Sequence, residues 1–246
     1  MYNDFAYSYD ALMGDADYDG RSEYLFSLFK KYDRMPTLML DLACGTGEFS
    51  NRFAKNGVSV IGVDISYDML SVAREKTAEQ GNDILYLCQD AAELDLYGTI
   101  DGAICCLDSL NHITDYEKLC KAIERVSLFL EKDRLFIFDL NTEYKHREVL
   151  GNNTFVIDNE EVYCVWQNEY NECDKTVGIN LDFFVPDDDV YYRASESFCE
   201  KAYSFKEIEN ALTVAGLKVE AIFEDMTENA PSDTAERVVY VTRKVN

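Results

Sequence analysis

The 246 residues include only three prolines, two histidines and one tryptophan. Scarce proline leaves room for long regular elements and excludes an extended, low-complexity chain. With only His112 and His146, and no Cys-x-x-C pair, the sequence has no Cys/His cluster at the spacing of a structural zinc site, so no metal is expected. No apolar run approaches the roughly 18 residues of a membrane-crossing helix, and no membrane partner is expected. The acidic, aromatic start MYNDFAYSYD lacks the basic-then-apolar pattern of a secretion signal, so a cytoplasmic protein is expected. Basic residues are also in short supply, 23 against 47 acidic ones, for a formal net charge of −24. Nucleic acids are held by clustered Lys and Arg, so they are not an expected partner.

The sequence does contain 47% hydrophobic residues, enough for a packed core. Four of its eight cysteines, Cys44, Cys88, Cys105 and Cys106, lie in or beside apolar, strand-like runs. They are expected to be buried free thiols in a reducing compartment.

From Met35 the pattern alternates strand and helix. TLMLDLA, VSVIGVD, DILYLCQ, TIDGAICCL and DRLFIFDLN read as strands. EFSNRFAKNG, SYDMLSVAREKTAEQG and DYEKLCKAIERVSLFL read as the helices between them. Ser66 is the expected N-cap of the second of these helices, and Gly81 follows its end. Such alternation predicts an α/β fold built on a mostly parallel sheet. Around Asn152 the period changes to two. EVYCVWQNEYNE, TVGINLDFFVP and VYYRASESFCEKAY predict an antiparallel β meander. Ser204 and Glu207 form a capping-box pattern before a last helix, and LKVEAIFED and ERVVYVTRKV close the sheet at seven strands. The predicted divisions of this single domain are a helical cap over 1–34, a cofactor-binding core over 35–151, the β insertion over 152–203, and a closing helix and strand pair over 204–246.

The turn DLACGTGE holds Gly45 and Gly47, with Asp41 ahead of them. Glycines at the carboxyl end of a strand let a ligand touch bare backbone. A dinucleotide fingerprint would place a third glycine where Ser50 stands, and an acid beside a pyrophosphate is unfavourable. Asp41 suits an ammonium group instead. Asp64, ending the next strand, can accept both hydroxyl hydrogens of a ribose.

Taken together these residues resemble the class I, Rossmann-like S-adenosylmethionine-dependent methyltransferases over about Leu38–Asn141. The resemblance implies that Asp41, Ala43, Cys44, Gly45 and Gly47 surround the methionine end of S-adenosylmethionine. It also implies that Asp64 binds the ribose, that Ile65 and Met69 flank the adenine, and that Asp90 with Ala91 meets its amino group. Tyr9, beside Asp10 in FAYSYDALM, is implied as a cap residue over the cofactor. Arg21 could meet the cofactor carboxylate, and Leu107 lies beside the methyl. S-adenosylhomocysteine would be the product.

The loop CLDSLNHI should face the acceptor, with Asp108 and Asn111 orienting it and His112 accepting a proton. It lacks the N-P-P-Y or D-P-P-Y motif of base-modifying DNA methylases. A second wall is expected from Asn141, Tyr144 and His146, and from Trp166, Tyr191 and Tyr192 of the insertion, which could also form a homodimer contact. The expected activity is methyl transfer to an oxygen or nitrogen of a small-molecule acceptor. An NAD(P)-dependent oxidoreductase and a non-catalytic S-adenosylmethionine-binding protein remain as alternatives.

Overall fold

The computed structural model describes residues 4–14, 16–32 and 35–245, so residues 1–3, 15, 33 and 34 of the expected cap lie outside it, as does 246. Two helices come first, α1 (Asp4–Leu12) and α2 (Tyr18–Tyr32). The alternating region then gives β1 (Leu38–Leu42), α3 (Glu48–Lys55), β2 (Ser59–Asp64), α4 (Tyr67–Gln80), β3 (Ile84–Cys88), β4 (Gly102–Cys105), α5 (Tyr116–Phe129) and β5 (Leu135–Asn141). Four antiparallel strands follow: β6 (Thr154–Asp158), β7 (Tyr163–Asn171), β8 (Thr176–Asp187) and β9 (Val190–Lys201). The chain ends with α6 (Phe205–Val214), β10 (Leu217–Glu224) and β11 (Arg237–Lys244).

The main sheet has the order β10-β11-β5-β4-β1-β2-β3. The five strands β1–β5 are parallel, and β11 runs antiparallel to both neighbours. Every residue of β5 is buried, as befits a strand covered on both faces. Alternate residues sort the core into two layers. Met39, Val60, Ile104 and Ile137 pack under Leu28 and Phe29 of α2 and Phe53 of α3. Leu40, Val63, Ala103 and Phe136 pack under Ile123 of α5 and Leu212 of α6. Ser66 caps α4 by accepting the Met69 N–H at 3.2 Å, Gly81 ends that helix at φ 69°, and Ser204 and Glu207 close a capping box on α6.

Three details differ from the sequence pattern. Cys88 is exposed, because β3 is the edge strand and this residue points away from the core. The meander has four strands rather than three, since Thr154–Asp158 pairs along β7. The strand expected over TIDGAICCL shortens to β4, with Ile100 bridging to Leu130 and the chain turning away after Cys105. Beyond β5 the chain forms a π-helical turn, Lys145–Leu150, a geometry often found at functional sites.

Candidate active site

After β1 the backbone turns through Ala43, Gly45 and Gly47, all at positive φ. Gly47 is required by space as well as by φ, because a Cβ there would lie 2.5 Å from the Tyr86 hydroxyl. At Gly45 a Cβ would meet nothing within 4 Å, so this backbone borders open space. The Cys44 N–H donates to the Val63 carbonyl at 3.0 Å, tying the turn to β2. Asp64 fixes the same joint. Its two carboxylate oxygens accept the N–H of Gly45 and the N–H of Ser66, each at 2.8 Å. Burial raises its pKa above the usual carboxylate range, although these backbone donors oppose the rise.

Asp41 is 2% exposed, and burial pushes its pKa up to about 7. Its partner is Ser50, whose hydroxyl donates to Asp41 Oδ2 at 2.6 Å. The residue standing in place of the missing glycine therefore holds the acid.

The cap is tied to this turn. The Thr46 hydroxyl donates to Asp10 Oδ1 at 2.7 Å. Lys76 on α4 binds both Asp10 and Glu48. Burial, with Tyr18 and Asp108 next in effect, pushes the Tyr9 phenol well above its ordinary range. Tyr9 thus feels charges from the loop after β4 as well as from Asp64. Arg21, expected near a cofactor carboxylate, makes a two-pronged pair with Asp225 at 2.9 and 2.8 Å.

At the end of β4, Leu107 and Asp108 adopt φ of 57° and 53°, a costly conformation for non-glycine residues that the surroundings must hold. Asp139 does so, accepting the N–H groups of Leu107 and Asp108 at 2.8 and 2.7 Å. Arg237 bridges the two acids, donating to Asp139 at 2.5 Å and to Asp108 at 2.6 Å. Burial alone would raise the Asp108 pKa, but Arg237, Lys145 and His112 together outweigh it and hold the carboxyl far below its usual range. Asp108 is therefore already neutralised, which disfavours a metal-ligand role. Asn111 is fully buried. Its amide donates to the carbonyls of Asn141 and Lys201 and accepts the Asn141 N–H, binding β5 to β9.

His112 stays accessible, with its side chain 45% exposed and its ring 4.9 Å from that of Phe198. Its Nε2 lies 3.7 Å from Glu200 Oε1. Polar atoms of Asp108, His112 and Glu200 come within 4.8 Å of one another. His146 is completely buried, with Nε2 3.1 Å from Glu200 Oε2. Asn141 donates to Glu200 at 3.2 Å and accepts from Lys145 Nζ at 3.1 Å. Burial lowers the Lys145 pKa, and Arg237 lowers it further. Beside Lys145, Arg21 and Arg237 a cleft of about 360 Å³ opens.

Among the other expected residues, Ile65 is 70% exposed next to Asp64, while Met69 sits in the first turn of α4. Asp90 accepts the Ala92 N–H at 2.9 Å and caps the 3-10 turn that begins at Ala91. Of the insertion's aromatics, Phe198 lies against His112, but the three expected ones do not converge here. Trp166 packs on Phe155, and Tyr191 and Tyr192 are exposed opposite Pro186 and Val185, at the far end of the β8–β9 hairpin. The opposite end of β9 delivers Glu200. The pattern reading missed Glu200, Asp139, Arg237 and Lys145. One available signal was a glutamate in phase with the inward Ala194 and Phe198 of β9.

These residues fit an adenosyl cofactor with an amino acid end. Asp41 offers a buried acid near bare backbone at Gly45, and the exposed apolar Ile65 adjoins Asp64. A family model described as a methyltransferase domain matches residues 39–128. A relative from Geobacillus sp. (strain WCH70) that bears a methyltransferase name is 34% identical over 245 residues, which cover 99% of each chain. The crystal structure of an S-adenosylmethionine-dependent methyltransferase from Clostridium acetobutylicum ATCC 824 is 33% identical, with a TM-score of 0.91 and 99% of each chain covered. CalS10, an amino pentose methyltransferase from Micromonospora echinaspora with bound S-adenosylmethionine, shares the fold at 18% identity and a TM-score of 0.73, covering 94% of this chain and 96% of that one. Both the nicotinamide-dependent and the non-catalytic alternatives are thereby set aside. The chain belongs to the class I S-adenosylmethionine-dependent methyltransferases.

Proposed function

We propose that the methyl acceptor is a small molecule carrying an oxygen or nitrogen nucleophile, and that it enters the cleft beside Lys145, Arg21 and Arg237. The observation that carries this reading is that cleft of about 360 Å³, where Arg21, Lys145 and Arg237 face Glu224, Asp225 and Glu236, a wholly polar lining that suits a small polar acceptor. The net charge of −24 disfavours a nucleic-acid acceptor. CalS10 acts on an amino pentose, which is consistent with a small polar acceptor.

When bound, S-adenosylmethionine would supply an electrophilic methyl group to the acceptor's lone pair, with the neutral thioether S-adenosylhomocysteine as leaving group. The chain's own contribution is positional. Asp64 and the Gly45 backbone would hold the ribose and the methionine end, with Asp41 as counter-charge to the amino group. Tyr9 and the Leu107 backbone enclose the methyl region. Asp108, locked by Arg237, shapes the acceptor loop, and Asn111 fixes that loop to β5 and β9. His112 accepts a proton when the acceptor carries one. Proximity and orientation of this kind can contribute on the order of 7–11 kcal/mol.

Calorimetry with S-adenosylhomocysteine should show Asp64→Ala weakening affinity at least about tenfold, which is about 1.4 kcal/mol. An unchanged affinity rejects the ribose assignment. A cofactor-dependent mass screen of metabolite, RNA, DNA and protein pools tests the acceptor. Methyl gain confined to the macromolecular pools would overturn the small-molecule reading.

A further inference from the structure

Glu200 is a carboxylate with an uncommon set of neighbours. It is 3% exposed, yet among the described residues neither Lys nor Arg lies within ion-pair distance of it. Its contacts are the two imidazoles of the chain and the Asn141 amide. A buried carboxylate without a fixed cation is costly, and the cost falls when a neighbour takes up a proton. His146 is packed with no exposure, and its Nδ1 has no partner. Placing the hydrogen on Nε2, toward Glu200, leaves that orphan as a bare lone pair rather than a stranded donor. His112 is the exposed member of the group, at the acceptor loop.

We propose that Glu200 is a positioning residue that joins His112 and His146 in one proton-sharing cluster, so that His112 takes the proton from an acceptor bearing an N–H or O–H nucleophile. Glu200 directs His112 Nε2 inward and leaves Nδ1 as the basic nitrogen. The acceptor's proton moves to Nδ1, and the resulting imidazolium becomes the counter-ion that Glu200 lacks. Other charges face this cluster. Asp108 from the same loop and Asp64 from β2 feel the His112 charge. Lys145 from the π-helical turn feels Glu200 and Asp108, and Arg237 from β11 adjoins both Lys145 and Asp108. The substrate class follows from the proposal. It is a nucleophile that must lose a proton, rather than a tertiary amine or thioether. This inference rests on the acceptor reading above, but its first test needs no acceptor.

The chain has two histidines, so a long-range ¹⁵N–¹H spectrum yields two imidazole patterns, and His112→Gln assigns them. With the S-adenosylhomocysteine-loaded protein, the neutral His112 ring should carry its hydrogen on Nε2, and Glu200→Gln should turn it toward a mixture of tautomers. Glu200→Asp, which keeps the charge, should do so less. Cofactor affinity should stay within about twofold in both variants, separating this result from failure of the cofactor site. An unchanged His112 tautomer in Glu200→Gln overturns the proposal. With an acceptor from the screen, Glu200→Gln should lower kcat by about tenfold or more with KM little changed. A kcat within about twofold of the wild type also overturns it.

Discussion

Ser50 Oγ donates to Asp41 Oδ2 at 2.6 Å inside the core, where Ser50 is 0% exposed. The serine that breaks the dinucleotide pattern is thus the partner that keeps an acid tolerable at the foot of the glycine turn. The two residues are nine positions apart, one at the end of a strand and the other on the first turn of the following helix.

Replacing Ser50 with glycine would restore the dinucleotide-like spacing and remove this bond. The hydrogen bond to Ser50 lowers the Asp41 pKa, so its loss should raise it further. Denaturant unfolding should show a loss of about 1.5–3 kcal/mol above pH 8, where the carboxylate is charged. The loss should shrink at pH 5, where the acid is protonated. Equal losses at both values would mean that the serine acts by packing alone.

Asp41 also predicts a pH dependence. Its pKa rises from the ordinary 3.8 to about 7 in the fold, so the folded protein holds a proton that the unfolded chain releases. Stability from this group is full below the ordinary value and is lost as pH rises toward 7. A cationic amino group arriving beside it should expel that proton. Calorimetry at pH 6.5 in buffers of different ionisation enthalpy should register a release of up to about one proton per S-adenosylhomocysteine bound. Asp41→Asn should abolish the release. A release of the same size in the variant would assign it to another group.

Among the described residues, Arg237 is the single cation bridging Asp108 and Asp139. Arg237→Met should leave two buried acids without their counter-charge, at a cost of about 3–5 kcal/mol. Because Leu107 and Asp108 are held at positive φ through Asp139, the acceptor loop should also loosen. Thermal unfolding measures the first effect, and amide exchange over residues 106–113 measures the second. A melting temperature within about one degree of the wild type would contradict the assigned role of the pair.

The turn at Ala43–Gly47, the acid ending β2 and the helix caps at Ser66 and Ser204 were all legible from the sequence. Each depends on residues a few positions apart, where backbone preference and hydrogen-bond reach act locally. The buried strands were legible because both faces of a parallel sheet require apolar residues. The cluster around Asp108, Asn111 and Glu200 was not. Asp108 meets Arg237 across 129 positions, and Asn111 reaches the Lys201 carbonyl across 90. Glu200 arrives at His146 from the last residues of an inserted strand, 54 positions away. No local propensity encodes such meetings. They arise because parallel strands bring their carboxyl ends to one edge, and because the meander returns its final strand to that edge. The sequence by itself determined the glycine turn. Only tertiary packing decided which charges meet at the carboxyl edge of the sheet, since burial and long-range ion pairing exist only once distant segments are assembled.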